Sequence, residues 1–181
     1  FRAITTQQLL VLGEWGTGKT HFLADITRMR NEDNKPTLFF LANSLTNGID
    51  PLQAVCDLTG LAVTPEDLLR GLHELRPSCT ERTLLIIDGI NETEVSAWRR
   101  ALKSLPTRIS AFPNVAIILS CRIPTAPKLL PDDRDRTWNT IYHRGFEDIE
   151  FDAQREFFDF FQIPVPSIPL LTPEFSRPLF L

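Results

Sequence analysis

Gly13-Glu14-Trp15-Gly16-Thr17-Gly18-Lys19-Thr20 fits the pattern GxxxxGK[ST] and directly follows the apolar run Leu9-Leu10-Val11-Leu12. Glycines at these positions let a backbone turn where a Cβ would clash. Successive N–H groups and the positive end of the next helix then converge on phosphate oxygens. In this reading Lys19 bridges the β- and γ-phosphates of a nucleoside triphosphate and the Thr20 hydroxyl ligates Mg²⁺. His21, next in the run, belongs with the same nucleotide-binding set. The alternative is a glycine-rich turn with a solvated lysine, which the strand before and helix after disfavour.

Hydrolysis needs more than a phosphate cradle, because Mg²⁺ must be held from the far side and a water oriented for in-line attack. Leu84-Leu85-Ile86-Ile87-Asp88 ends a buried strand pattern in a carboxylate, the Walker B arrangement, with Asp88 holding the ion directly or through water. Glu92 follows just beyond the strand and is the candidate for activating water, with Asn91 a possible helper. The alternative for Glu92 is to favour the start of the next helix. At the end of the run Val115 to Leu119 stand Ser120 and Arg122. In sheets of this type that strand lies between the phosphate-loop strand and the Asp88 strand, which aims Ser120 and Arg122 at the γ-phosphate. A solvated strand-end charge is the alternative for Arg122. Cys121 has no histidine close in sequence and reads as structural, and His21, His73 and His143 lack metal-ligand spacing.

The elements that must position these groups alternate between short β-rich runs and amphipathic helices. That alternation predicts an α/β P-loop three-layer α/β/α sandwich on a mostly parallel five-stranded sheet. Strands are expected at Leu9–Leu12, Thr37–Leu41, Thr83–Ile87, Val115–Leu119 and Trp138–Tyr142. A helix from Gly18 to about Arg30 carries Phe22, Leu23, Ile26 and Met29 toward the sheet. Asp50-Pro51 and Thr64-Pro65 each open a helix with an N-cap and an N1 proline, the second placing Leu68, Leu72 and Leu75 inward until Pro77 stops it. A helix from Thr93 to about Leu105 follows, and Asp152 caps a phenylalanine-rich helix to about Phe161 whose rings need a partner surface. Residues 1–162 read as the core and 163–181 as a connector and the start of a following helical region, with Pro164, Pro166, Pro169 and Pro173 too frequent for a regular element and a helix expected to begin near Pro178.

With 181 residues, 43% hydrophobic and 23% charged, the chain has the size of one globular domain. A net charge of −4 without a long basic run argues against direct nucleic-acid contact. Cys56, Cys79 and Cys121 are too few and too scattered for a disulfide framework or zinc site and suit a reducing cytoplasm. No apolar run approaches the ~20 residues that span a bilayer, so no membrane role is expected. A start at Phe1 and a stop inside Pro178-Leu179-Phe180-Leu181 read as a module cut from a longer protein.

The stretches GEWGTGKTHFLAD, LLIIDGINE with Trp98 on the next helix, and PNVAIILSCR together resemble STAND-class signal-transducing P-loop ATPases, relatives of NACHT and AAA+ modules. They look most like the core of bacterial antiviral STAND (Avs) proteins. Ser176-Arg177-Pro178-Leu179 is similar to the segment whose proline, here Pro178, packs near adenine, although the usual preceding glycine is missing. Asn91 replaces an acidic residue common in NACHT relatives. The resemblance implies ATP or ADP with Mg²⁺ as ligands, and an effector domain and a sensor domain elsewhere in the parent protein. It also implies a viral protein as trigger and a homo-oligomer on activation. ATP is favoured over GTP because no guanine-reading NKxD motif is present. Two competitors stand beside this switch. One is a continuously working AAA+ remodelling motor, with Arg99-Arg100 as the nearest arginine-finger candidates; the other is a nucleotide-bound scaffold without catalysis.

Overall fold

The computed structural model describes residues 6–75, 81–130, 137–164 and 176–180. Five strands, β1 (Gln8–Gly13), β2 (Thr37–Leu41), β3 (Thr83–Asp88), β4 (Val115–Arg122) and β5 (Asn139–Tyr142), form one sheet in the order β2-β3-β4-β1-β5. Every pairing is parallel. β4 thus lies between β1 and β3, as expected. The register sets Gly13 beside Arg122 and Leu41 beside Asp88, so the phosphate-loop entry and both candidate strand-end groups share the carboxyl edge of the sheet.

Alternation along the central strands divides the core between the two faces. Leu10, Leu12, Leu85, Ile87, Ile117 and Leu119 face α2 (Pro51–Thr59), α3 (Pro65–Glu74) and α4 (Val95–Ser110), whose Leu52, Leu69, Leu102 and Leu105 are buried with them. Leu9, Val11, Leu84, Ile86, Ala116 and Ile118 face α1 (Lys19–Glu32) through Leu23 and Phe22. The result is the expected three-layer sandwich.

Several details differ from the periodicity reading. Met29 is 58% exposed, because seven residues make nearly two turns and the position in line with Leu23 is Arg30. Arg30 accordingly donates to Thr37 Oγ1 at 2.9 Å and to the Arg82 carbonyl at 2.7 Å, tying α1 to the sheet. Leu75 lies past the last residue of α3 and is exposed. Thr64 does cap α3, accepting from the Asp67 amide at 3.2 Å, a contact worth about 1 kcal/mol. Asp50 holds the N-cap position of α2 but makes no capping bond; its carboxylate pairs instead with Arg108 at 2.8 Å.

Arg108 is within reach because α4 runs on to Ser110 through Pro106, beyond the expected end at Leu105. A proline there leaves the Leu102 carbonyl without its helical donor, normally a loss of ~3 kcal/mol. Trp138 Nε1 donates to that carbonyl at 2.9 Å in a buried bond, and continuing the helix buries Ile109 completely. The short helix α5 (Ala126–Leu129) packs against α4. The last helix, α6 (Glu150–Phe160), starts with Ile149 at the cap position, so Asp152 lies within its first turn and is no cap. Phe151, Phe160 and Phe161 are exposed, while Phe157 is half-buried. At Pro178 a short 3₁₀ turn, Pro178–Phe180, takes the place of a helix start. Pro77, Cys79, Pro166, Pro169 and Pro173 lie outside the described residues. No helix among those described is long and apolar enough to cross a membrane.

Candidate nucleotide site

The loop from β1 to α1 turns on Gly16 and Gly18, whose φ values of 76° and 82° are open to glycine and strained for other residues. Gly13 must also be glycine, since a Cβ there would come within 2.5 Å of the His143 carbonyl. Thr17, buried, closes the loop by donating to the Glu14 carbonyl at 2.9 Å. The Lys19 ammonium lies across the loop and donates to the carbonyls of Gly13 at 3.0 Å and Glu14 at 2.7 Å. Burial is the main reason its pKa falls below the ordinary lysine value; Asp88 opposes the shift and Arg122 adds to it.

Thr20 Oγ1 donates to Asp88 Oδ2 at 2.6 Å, so the first turn of α1 and the end of β3 meet at one point. The buried Ser120 hydroxyl donates to the other oxygen of Asp88 and accepts from the Gly89 amide at 2.9 Å. Ser120 therefore fixes the Asp88 carboxylate, rather than aiming itself at a γ-phosphate. A hydroxyl and a carboxylate in contact are hard oxygen donors, the set that suits Mg²⁺ when phosphates and water complete its shell.

Arg122 and Glu92 form an ion pair, Nη2 to Oε1 at 3.2 Å, with both side chains about half exposed. Asn91 Oδ1 accepts from the Arg122 backbone amide at 2.9 Å, so Asn91 acts on Arg122 and not on Glu92. Cys121 is buried with its thiol pushed up to about 11 by desolvation, which suits a structural residue and not a nucleophile.

A cavity of about 550 Å³ gathers most of these groups: Gly16, Gly18, Lys19, Thr20, His21, Asp88, Asn91, Glu92, Ser120, Arg122 and Pro178. Glu14 and Thr17 line a second, adjoining cavity of about 1000 Å³, and Trp15 lines neither, being 49% exposed. Pro178 sits on the loop: a Cβ on Gly18 would lie 3.2 Å from its Cγ, and the Leu179 amide donates to the Gly16 carbonyl at 3.3 Å. Two neighbours escaped the sequence reading. His143 follows β5 and its amide donates to the Leu12 carbonyl at 2.7 Å, while its ring stacks on Phe22. Burial, with Lys19 next, lowers its pKa. Gly145 has φ 71° and stands against Ser176 and Pro178. Neither carries a motif; only the register of β5 beside β1 reveals them.

A sequence profile described as AAA domain matches residues 4–122, from just before β1 to the end of β4. The chain belongs to the AAA domain family. Curated protein sequences yield no match. Solved structures share the fold at low identity. AMPPCP-bound DnaA from Aquifex aeolicus has a TM-score of 0.59 and 15% identity over 92% of this chain and 50% of that one. Drosophila ORC bound to DNA gives 0.56 and 17% over 87% and 42%. Domain III of the Thermotoga maritima replication initiation protein DnaA gives 0.56 and 15% over 92% and 68%. The chain thus spans about half the length of the Aquifex protein. The AAA match covers the phosphate loop, Asp88, Glu92 and Arg122, and ends before Gly145 and Pro178.

Proposed function

We propose that this AAA domain is a Mg²⁺-dependent ATP-binding switch that hydrolyses ATP slowly. The observation that carries the reading is the convergence of Lys19, Thr20, Asp88, Glu92 and Arg122 on one cavity of about 550 Å³, a volume suited to a nucleotide. Gly13 to Thr20, with His21 beside them, would bind the phosphates, Ser120 would hold Asp88, and Pro178 would border the base. Thr20 and Asp88 would hold Mg²⁺, which when bound neutralises charge on the phosphate oxygens. Glu92 would take a proton from water as its oxygen bonds to the γ-phosphorus. The bond to the β,γ-bridging oxygen breaks, leaving ADP and inorganic phosphate, while Lys19 and Arg122 offset the charge that develops.

The finer assignment, a gate in a bacterial antiviral STAND protein, is supported by the stretches LLIIDGINE and PNVAIILSCR and by the seat of Pro178 on the phosphate loop. In that role nucleotide affinity would differ between two states of the parent protein, whose effector and sensor domains and viral trigger lie outside this chain. Arg99 and Arg100 are exposed on α4 and do not line the cavity, so the motor alternative needs them to reach it from a neighbouring subunit.

The test is to purify the chain, identify co-purified nucleotide by mass and follow ATP turnover. Glu92→Gln should retain ADP binding and slow turnover by roughly 10²–10⁴-fold. Equal loss of binding and turnover would remove Glu92 from its role, and absence of any Mg²⁺-dependent nucleotide binding would defeat the proposal. Drosophila ORC is DNA-bound in its solved structure. Retention of this chain on DNA at moderate salt would replace the expectation that it makes no direct nucleic-acid contact.

A further inference from the structure

We infer that Asn91 is a positioning residue for recognition of a third phosphate: it anchors the Arg122 backbone where the guanidinium exchanges between Glu92 and the γ-phosphate. The inference rests on the nucleotide reading above. Two consecutive residues hold the two ends of one arginine. Asn91 Oδ1 accepts from the Arg122 amide at 2.9 Å, and Glu92 Oε1 lies 3.2 Å from Arg122 Nη2.

The turn that presents them, Ile90–Glu92, is itself fixed. Ile90 is fully buried, the Glu92 amide donates to the Gly89 carbonyl at 2.9 Å, and the Gly89 amide is held by Ser120. Asn91 and Ser120 therefore lock the end of β3 to the end of β4 by uncharged bonds, one on each side of Cys121.

These bonds differ in how they answer a ligand. The Arg122–Glu92 pair is half exposed, so it contributes little by itself and yields to a stronger anion. A γ-phosphate in the cavity that both residues line is such an anion, and it binds a guanidinium through two donors. The Asn91 bond involves no ionised group and is unaffected when the side chain swings. It keeps the root of Arg122 in place, so that only the guanidinium has to be ordered. With a diphosphate, Arg122 stays on Glu92 and neutralises it. With a triphosphate, Arg122 moves and the Glu92 carboxylate is released to activate water.

The experiment compares equilibrium binding of ADP and of AMPPCP, each with Mg²⁺, by the 181-residue chain and its variants. Asn91→Ala is expected to weaken AMPPCP roughly fivefold to tenfold and leave ADP unchanged. Asn91→Ala should add nothing to the loss of AMPPCP affinity in an Arg122→Ala background, where no guanidinium remains to be positioned. Glu92→Gln, which removes the competitor for Arg122, should raise the preference for AMPPCP over ADP, and this reads the exchange even if Asn91→Ala fails to fold. Equal effects on both ligands, no effect on either, or an unchanged preference in Glu92→Gln would overturn the inference while leaving nucleotide binding intact. Failure of the unaltered chain to bind either nucleotide would overturn the reading beneath it, and this inference with it.

Discussion

The Thr20 hydroxyl donates to the Asp88 carboxylate across 2.6 Å, joining residues 68 positions apart at the carboxyl edge of the sheet. Each is a weak Mg²⁺ ligand alone; in contact they define where an ion would sit relative to Lys19. Asp88→Asn should therefore lower Mg²⁺ affinity roughly 10- to 100-fold, seen as nucleotide binding that no longer gains from the ion. Calorimetry with Mg²⁺ and with EDTA checks this. An equal loss in both would mean that Asp88 supports the fold and not the metal.

Lys19 makes two pH effects run in opposite directions. Burial holds its folded-state pKa below the ordinary lysine value, so in the window between the two the unfolded chain binds more protons. Stability contributed by this group therefore rises as pH increases through that window. Phosphate affinity needs the ammonium and should fall over the same range. Melting temperature and ADP affinity, measured together on the alkaline side of neutrality, should diverge, and Lys19→Ala should abolish binding together with the divergence. Parallel curves in the unaltered chain would show that Lys19 titrates normally.

The site was legible where chemistry and local pattern coincide, and opaque where long-range contacts decide. Gly13 to Thr20 can be read directly, because the loop is contiguous and its glycines meet backbone demands that few sequences satisfy. Asp88, Ser120 and Arg122 can be placed by their strand ends, since a parallel sheet brings such ends to one edge. The partners of those groups were not legible. Nothing in the sequence says that Ser120 serves Asp88, or that Asn91 holds Arg122, because these depend on which strands are neighbours and on ångström-scale register. The end of α4 at Ser110 lies beyond the expected Leu105 for a related reason. Pro106 normally stops a helix, and the donor that compensates for it, Trp138, lies beyond β4.

Gly145 packs closely against the segment that carries Pro178. Gly145, from the turn after β5, has φ 71° and stands against Pro178. A Cβ at that position would come within 2.5 Å of the Ser176 carbonyl, which the Phe146 amide binds at 2.8 Å. Gly145→Ala should displace residues 176–180 from the phosphate loop, adding about 1 kcal/mol of backbone strain. Faster release of a fluorescent ADP analogue and faster proteolysis at Arg177 are the expected readouts. Unchanged release would show that the segment does not cover the bound nucleotide.

Trp138 tests the account of Pro106. Its indole donates to the Leu102 carbonyl that the proline leaves without a helical partner, and the bond is buried. Trp138→Phe keeps an aromatic ring in place but removes the donor, so the buried Leu102 carbonyl loses the indole bond. The expected cost is about 1–3 kcal/mol in chemical denaturation. In a Pro106→Ala background the carbonyl regains a backbone donor at residue 106, and the same Trp138→Phe change should then cost no more than the smaller packing loss. A double-mutant cycle reads the difference as coupling between two residues that belong to different elements. Zero coupling would mean that α4 passes through Pro106 because Ile109 is buried, and that the indole bond adds nothing to it.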